Sequence, residues 1–370
     1  MTTTRTASRT TPRFHTLTIS DVRRETADAI SVRFAVPDAL RDDYAFQQGQ
    51  FVTLKAPVGG EELRRSYSVC CAVSDYRQGG ELRVGIKAID GGRFSTFANQ
   101  TFKPGMALEV MTPDGRFFTP FDASHAKHYV GFAGGSGITP VLSILKTVLE
   151  EEPASRFTLI YGNRSVAAIM FSEELEELKN RYLGRLALYH VLSDEPQEVE
   201  LYNGLLNEEK CRQFLDSLIP AASIDEAFIC GPAPMMDAAE AALGKAGVAR
   251  EKIHVERFGT PLPQAGATKP RPTSSTATAE VQIMLHGKAR ALRVPFDGEA
   301  VVDAGLAAGL DLPYACKGGV CCTCRARVLE GEVRMDKNYT LEAKELAQGF
   351  VLTCQAHPVS AKVVISYDER

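Results

Sequence analysis

Residues 316–324 read CKGGVCCTC, and this short stretch holds four of the nine cysteines in a chain of 370 residues. Three of them, Cys316, Cys321 and Cys324, have the spacing C-x4-C-x2-C, and Cys354 follows further along the chain. In a reducing compartment, cysteines grouped in this way are more often ligands or catalytic groups than disulfides. The C-terminal part of the chain is therefore predicted to hold a metal or redox centre.

An iron–sulfur cluster is the centre that this spacing favours. A loop that wraps a small cluster must offer thiolates from several directions, and C-x4-C-x2-C with a distant fourth cysteine is the plant-type [2Fe–2S] arrangement. The predicted ligands are Cys316, Cys321, Cys324 and Cys354. Gly318 and Gly319 let backbone N–H groups approach without a Cβ in the way. Zinc is the alternative, but zinc sites usually pair two short C-x2–4-C elements. Cys322 breaks the spacing and is interpreted as a packing residue.

The bulk composition limits the classes of function. A chain of this length is too long for one core, so two or three domains are expected. A net charge of −4 gives no reason to expect nucleic acid or an anionic membrane as a partner. No apolar run reaches the roughly 18 residues of a membrane span, and the Thr/Arg-rich N-terminus lacks the apolar core of a secretory signal. We therefore expect a cytoplasmic protein.

Composition and periodicity divide the chain. Short alternating stretches such as AISVRFAV, QFVTLKA and SYSVCCAV favour an antiparallel β-barrel. Further on, strand-like KHYVGFA and EAFIC alternate with helical segments such as SEELEELKNR, which favours a parallel α/β sheet. A stretch with four prolines and few core residues then predicts a linker. The predicted segments are a flexible tail at 1–13, a barrel at 14–122, a doubly wound α/β domain at 123–258, a linker at 259–278 and a small cysteine-bearing domain at 279–370.

Two further motifs suggest nucleotide binding. Residues 134–140 read GGSGITP between a predicted strand and a predicted helix, where glycines and a helix N-terminus suit a phosphate. A tight turn is the alternative, since the motif is not the G-x-G-x-x-G fingerprint. In the barrel, Arg65 and Tyr67 point to one side of a strand. A guanidinium beside a ring suits a nucleotide with a flat heterocycle, although a solvated strand edge would look similar.

Taken in order, these motifs resemble the ferredoxin–NADP reductase family. The matching stretches are R65-x-Y67-S68, G92-x-F94-S95, GGSGITP at 134–140, C230-G-P232 and V255-E-R-F258. The C-terminal domain resembles plant-type ferredoxin, which implies a β-grasp fold. The stretches GEELRRSYS, LIYGNR, EAFICGP and LPYACKGGVC resemble, more closely, the reductase subunits of ring-epoxidising oxygenases. The resemblance implies an FAD-binding barrel followed by an NAD(P)-binding domain and a 2Fe-2S domain.

The resemblance also implies roles for residues at the flavin. Arg65 would hold the FAD pyrophosphate, Tyr67 would stack on the isoalloxazine, and Ser68 would hydrogen-bond near flavin N5. The pyrophosphate site would be completed by Gly92, Phe94 and Ser95. Phe258 occupies the position of the family's flavin-stacking aromatic. In plant-type reductases that residue is a C-terminal Tyr, whereas here it is Phe and the chain continues.

On the nucleotide side, the implied catalytic residues are Ser68, Cys230 beside the nicotinamide and Glu256 near the site of hydride transfer. Without the resemblance, Cys230 and Glu256 would be interpreted as a core thiol and a solvated carboxylate. The dinucleotide would be cradled by Gly134, Gly135, Gly137 and Thr139. Arg164 follows the second α/β strand, where NAD-selective sites often place an acid, so we expect NADPH rather than NADH.

The remaining cysteines and histidines are assigned structural roles. Cys70, Cys71 and Cys211 are interpreted as packing residues. His125 and His128 are expected at the surface, because no partner ligands stand at useful spacing.

The function implied is electron transfer from NADPH through FAD and a 2Fe-2S cluster to the subunits of a di-iron oxygenase. A flavin is needed between the other two because nicotinamide donates electrons in pairs and a cluster accepts them singly. The alternatives are another client, such as an aromatic-ring or alkane monooxygenase, or a non-catalytic redox sensor.

Overall fold

The computed structural model describes residues 11–258 and 277–369. They form two compact units, one of residues 14–258 and one built mainly on residues 277–369. Most of the predicted tail and linker lies outside the described residues. No helix within the described ranges is long and apolar enough to cross a membrane.

The first half of the larger unit is an antiparallel barrel, as predicted. Its elements are β1 (Phe14–Thr26), β2 (Ala29–Ala35), β3 (Phe51–Val58), β4 (Glu61–Ser68), α1 (Val73–Gly79), β5 (Glu81–Lys87), α2 (Arg93–Thr101) and β6 (Ala107–Met111). The strand order is β4-β3-β6-β1-β2-β5. A bridge between Val69 and Val84 brings the chain after β4 against β5, so the two edges of the sheet meet. Alternating apolar residues such as Val52 and Leu54 fill the interior.

The prediction of one strand in the barrel is wrong. The pattern of SYSVCCAV, at residues 66–73, predicts a continuous strand, but β4 ends at Ser68 and α1 begins at Val73. The Asp75 carboxylate accepts a hydrogen bond from the Ala72 backbone N–H at 3.0 Å and so fixes the start of α1. Cys70 and Cys71 are fully buried in the connection, as packing residues. An apolar run of this length does not by itself distinguish a strand from a buried turn.

The second half of the unit is the predicted doubly wound domain. Its elements are β7 (His128–Gly134), α3 (Ile138–Glu151), β8 (Arg156–Asn163), α4 (Ser172–Arg181), β9 (Leu186–Leu192), α5 (Glu208–Ser217), β10 (Glu226–Cys230), α6 (Ala233–Lys245) and β11 (Ile253–Glu256). All strand pairs are parallel, in the order β11-β10-β7-β8-β9. Helices α3 and α4 pack on one face and α5 and α6 on the other. The carboxyl ends of β7, β10 and β11 therefore lie side by side at one edge.

The smaller unit has the mixed sheet of a β-grasp domain. Its elements are β12 (Thr278–Leu285), β13 (Lys288–Pro295), α7 (Val301–Ala307), β14 (Arg325–Glu330), β15 (Val333–Met335), α8 (Ala343–Ala347), β16 (Phe350–Leu352), β17 (Ala356–Pro358) and β18 (Lys362–Ser366). The main sheet has the order β13-β12-β18-β14-β16, with β12 and β18 parallel. Val301 and Val302 of α7 belong to its core. The cysteine-rich loop lies between α7 and β14.

Candidate functional site

The three predicted catalytic side chains lie at the ends of strands. Ser68 is the last residue of β4, Cys230 the last of β10 and Glu256 the last of β11. The parallel register places Cys230 directly beside Glu256. The Ser68 hydroxyl donates a hydrogen bond to a Glu256 carboxylate oxygen at 3.2 Å, across the junction of the barrel and the α/β sheet. A hydroxyl, a thiol and a carboxyl group are thus brought together where the two halves of the unit meet.

Burial controls the ionisation of this group. The Glu256 carboxyl is surrounded by protein although its residue is partly exposed, and this burial raises its pKa to about 8, with Ser68 opposing the rise. Burial, and the neighbouring Glu256 charge, also raise the pKa of the Cys230 thiol well above its ordinary value. Cys230 is therefore a neutral thiol at physiological pH, and Glu256 is the group here that changes charge near pH 8.

The glycine loop lies beside the backbone of the same cysteine. β7 ends at Gly134, a short turn covers Gly135–Gly137, and α3 begins at Ile138. A Cβ on Gly137 would lie 2.1 Å from the Cys230 carbonyl oxygen, and one on Gly134 would lie 2.7 Å from Met235. The Thr139 hydroxyl donates to the Ser136 carbonyl at 3.0 Å and fixes the first turn of the helix. A side chain would fill this cradle, so the loop fits the close approach of a dinucleotide phosphate.

The predicted flavin side chains line one strand of the barrel. Arg65 is exposed, and its guanidinium donates to the Arg64 carbonyl at 2.7 Å. Tyr67 lies two residues further along β4, and its ring centroid is 5.9 Å from that of Phe94. Burial raises the Tyr67 pKa, which Arg65 opposes, so the two side chains lie near each other as alternation along the strand predicts. A cation and a partly open ring on one face fit a flavin nucleotide.

The second predicted phosphate motif begins a helix. Gly92 immediately precedes α2, and a cavity of about 460 Å³ is lined by Gly91, Gly92 and neighbouring residues. Phe94 is buried in the barrel core, so only its backbone could contact a phosphate. The Ser95 hydroxyl donates to the Gly92 carbonyl at 3.2 Å and accepts from the Ile89 N–H at 3.3 Å. Ser95 therefore stabilises the turn beside the cavity. The cavity itself fits part of a dinucleotide.

Two further residues with predicted binding roles, Arg164 and Phe258, follow the ends of strands in the α/β sheet. Arg164 follows β8 at the carboxyl edge of the sheet and is exposed, and no described residue forms an ion pair with it. Phe258 is 44% exposed two residues after β11. A free guanidinium and an accessible ring are both available to a ligand.

In the smaller unit, the four predicted cluster ligands form two pairs. The Cys321 thiol hydrogen-bonds Cys316 and, with the backbone N–H of Gly318, lowers the pKa of Cys316. The Cys324 thiol in turn hydrogen-bonds Cys354 and lowers its pKa. Within the described ranges no three His, Cys, Asp or Glu side chains converge on one point as a single metal ion requires. Two thiol pairs fit the two irons of a [2Fe–2S] cluster.

The backbone of the cysteine loop is shaped to enclose a small group. Lys317, Gly319 and Cys322 all have positive φ angles, of 49°, 77° and 56°. A Cβ on Gly319 would lie 3.0 Å from the Lys337 carbonyl oxygen, so the loop is closely covered there. Cys322 is buried among the apolar residues of the unit, as are the predicted ligands Cys324 and Cys354, so its interpretation as a packing residue stays a prediction.

Some features escaped prediction from the sequence. Gln355 braces the cysteine loop, because its side-chain amide donates to the Lys317 carbonyl at 3.0 Å and to Cys354 Sγ at 3.5 Å. Only its position next to a predicted ligand could have suggested this. The expectation that His128 lies at the surface is wrong. Its ring is buried between Ser223 and Thr158, and burial lowers its pKa to about 4.

Comparison with known proteins agrees with this division of the chain. Family models match in three places: an oxidoreductase FAD-binding domain at residues 16–119, an oxidoreductase NAD-binding domain at 132–241 and a 2Fe-2S iron-sulfur cluster binding domain at 283–359. The chain is 46% identical to one subunit of the 1,2-phenylacetyl-CoA epoxidase of Escherichia coli K12, over 96% of this chain and 98% of that protein. It is 35% identical to the ferredoxin reductase component of 3-ketosteroid-9-alpha-monooxygenase from Rhodococcus rhodochrous, over 95% of this chain and 96% of that protein.

Solved structures share the fold. Phthalate dioxygenase reductase aligns with a TM-score of 0.56 at 22% identity, over 95% of this chain and 98% of that one. An intact type IV self-sufficient cytochrome P450 monooxygenase aligns with a TM-score of 0.67 at 21% identity, over 95% of this chain and 41% of that one. At these identities the likeness concerns the fold alone.

Proposed function

Because this chain belongs to the family of oxygenase reductase components that join FAD-binding, NAD-binding and 2Fe-2S domains, we propose that it passes electrons from NADPH to phenylacetyl-CoA epoxidase. The observation that supports the client is the 46% identity to the Escherichia coli epoxidase protein, which extends over nearly the whole of both chains. A shared domain alone would not favour one oxygenase over another.

The residues near the strand ends have different roles at the flavin site. Bound FAD would supply the conversion of two-electron transfer from the nicotinamide into one-electron transfer to the cluster. Ser68 offers a hydroxyl where the barrel meets the α/β sheet, and its hydrogen bond to Glu256 holds both side chains in place. Cys230 has a buried neutral thiol, and its backbone carbonyl lies beside the glycine loop. Arg65 and Tyr67 provide a cation for a phosphate and a ring for stacking.

The cysteine loop would provide the site from which electrons leave the protein. The four thiols would hold a 2Fe-2S cluster, whose chemistry is one-electron transfer. Cys316 and Cys321 are half-buried whereas Cys324 and Cys354 are buried, so the first pair lies nearer the surface. The loop therefore presents one edge of the site to a partner protein.

The side chain of Arg164 supports NADPH rather than NADH. Its guanidinium has no ion-pair partner among the described residues and lies at the edge where the nucleotide would bind. We expect Arg164→Ala to lower kcat/KM for NADPH about 10- to 100-fold, the effect of losing charged hydrogen bonds. The value for NADH should stay the same. Arg181→Ala, at an exposed arginine of the same domain, is the matched control. An unchanged NADPH/NADH ratio in Arg164→Ala would refute this assignment.

Glu256 predicts a pH dependence. Its pKa is raised to about 8, so the carboxyl is neutral below that pH and charged above it. A flavin held here would gain negative charge on reduction, and a charged Glu256 carboxylate nearby would oppose that gain. We expect the rate of flavin reduction by NADPH to fall at least about tenfold above pH 8. Glu256→Gln should keep the low-pH rate and lose the transition, as stopped-flow absorbance at pH 6–9 would measure.

The same group links pH to stability. The pKa of Glu256 is higher in the folded protein than its ordinary 4.5, so the folded state retains a proton that the unfolded state releases. The free energy of unfolding should therefore decrease as pH rises from about 4.5 toward 8 through this group. Glu256→Gln should remove that contribution in denaturant titrations. If both the rate transition and this slope persist in Glu256→Gln, another group is responsible.

The client is tested by reconstitution. The purified protein would be mixed with the oxygenase subunits of phenylacetyl-CoA epoxidase, and NADPH oxidation followed with and without phenylacetyl-CoA. Substrate-dependent oxidation with formation of the epoxide supports the proposal. If NADPH reduces flavin and cluster but phenylacetyl-CoA has no effect, the client is another oxygenase. Absence of turnover with an artificial acceptor would instead favour a redox sensor.

A further inference from the structure

A chain of alternating charges crosses the contact between the barrel and the nucleotide domain, which we call the seam. The Nη2 of Arg83 on β5 donates to both carboxylate oxygens of Glu174 on α4, each at 2.8 Å. Glu174 also pairs with Lys146 on α3 at 3.0 Å, and Lys146 pairs with Asp75 in the barrel at 2.8 Å. The order along the chain of contacts is plus, minus, plus, minus, so the group is neutral as a whole.

These charges are largely withdrawn from water. The side chains of Arg83 and Lys146 are 10% and 11% exposed, and that of Glu174 is 20% exposed. Burial opposes ionisation of Glu174, but Arg83 and Lys146 outweigh it and lower its pKa. A buried ion pair adds little net stability compared with apolar residues of the same size, whereas it does fix geometry. These charged residues are therefore better explained by a role in positioning the barrel against the nucleotide domain than by a contribution to the stability of the protein.

Two residues beyond Arg83, the backbone of β5 touches the nucleotide domain directly. A Cβ on Gly85 would lie 2.6 Å from the Thr139 methyl carbon, 3.1 Å from the Phe171 ring and 3.3 Å from Met170. Thr139 is in the first turn of α3, immediately after the glycine loop. There is no room for a side chain on Gly85, so β5 packs closely against the first turn of α3, which follows the glycine loop.

Phe171 shows that this contact is held under strain. It has a φ of 59°, in the left-handed region that bulky side chains rarely adopt, and it is buried. The Arg83 guanidinium lies 5.5 Å from the centre of its ring. Arg83 therefore contacts both the strained residue before α4 and the carboxylate of Glu174 in its first turn.

We propose that Arg83 and Gly85 of β5, with Glu174, are positioning residues that set how the glycine loop presents the nicotinamide to the flavin. This inference rests on the proposed function of the larger unit as an NADPH–flavin reductase. Among the described residues, no hydrogen bond or ion pair joins these three residues to the predicted catalytic group of Ser68, Cys230 and Glu256. Their effect is on the distance between the two halves that supply that group.

The test is Gly85→Ala, with Gly184→Ala as control because a Cβ there has no atom within 4 Å. Flavin reduction by NADPH would be followed anaerobically by stopped flow. We expect the limiting rate constant to fall about 10- to 100-fold with a small change in the NADPH dissociation constant, since displacements of about 1 Å have that effect. The isotope effect with deuterated NADPH should increase. FAD content and the cluster spectrum should match the parent protein.

A second variant covers the case in which Gly85→Ala does not fold. Glu174→Gln keeps the side-chain shape but removes the charge that holds Arg83 and Lys146, and it should slow flavin reduction about tenfold. If the folded variants reduce flavin at the parent rate with an unchanged isotope effect, the seam is only structural and the proposal is overturned. The assay ends at the flavin, so its result does not depend on which oxygenase accepts the electrons.

Discussion

Replacing Cys316, Cys321, Cys324 or Cys354 singly with serine is expected to abolish the 2Fe-2S cluster and electron transfer to the oxygenase. NADPH-dependent reduction of ferricyanide, which the flavin can supply without the cluster, should continue. The expected loss is large because one iron would retain only one of its two thiolates. Iron and sulfide content, visible absorbance and the EPR signal of the reduced protein measure the cluster directly.

Cys322→Ser is the matched control for this series. Cys322 lies next to a predicted ligand, whereas the two thiol pairs join Cys316 with Cys321 and Cys324 with Cys354. This variant should retain the cluster and transfer electrons at close to the parent rate. If Cys322→Ser lost the cluster while Cys321→Ser kept it, the ligand assignment would be shifted by one residue and therefore wrong.

Gly137→Ala is expected to cripple the nucleotide site. Its Cβ would lie 2.1 Å from the Cys230 carbonyl oxygen and 2.7 Å from the Gly231 nitrogen. These are backbone atoms of the strand end, so relief requires β7 and β10 to separate at the glycine loop. We expect a loss of about 1–3 kcal/mol of stability, as for overpacking elsewhere. Flavin reduction by NADPH should slow about 10- to 100-fold because Cys230 and the loop are displaced together.

Thermal unfolding and stopped-flow reduction would measure the two effects of Gly137→Ala. Gly244→Ala is the control, because Gly244 lies in α6 with no atom within 4 Å of an added Cβ. Alanine there should stabilise the helix by roughly 0.5–1 kcal/mol and leave flavin reduction unchanged. Parent-like stability and rate in Gly137→Ala would mean that the loop and β10 separate at no cost, contrary to the structure.

Features that depend on local spacing could be predicted from the sequence without a structure. Strand and helix periods predicted the order of barrel and α/β domain, and SEELEELKNR corresponds to α4 (Ser172–Arg181). The spacing of Cys316, Cys321 and Cys324 indicated a cluster site because three ligands from one loop are close in sequence as well as in space. Alternation along β4 placed Arg65 and Tyr67 together for the same reason. The nucleotide-selectivity role of Arg164 and the other residue assignments remain predictions.

Contacts between residues that are far apart in the sequence could be identified only in the folded structure. Ser68 reaches Glu256 across 188 positions, and Arg83 reaches Glu174 across 91. The prediction for His128 was wrong because burial depends on neighbours from other strands and loops, which periodicity within one strand does not reveal. The elevated pKa of Glu256 is likewise a property of its surroundings. Local pattern predicted the type of most segments, with SYSVCCAV as an exception, whereas packing between segments determines the charges, distances and strain on which the chemistry depends.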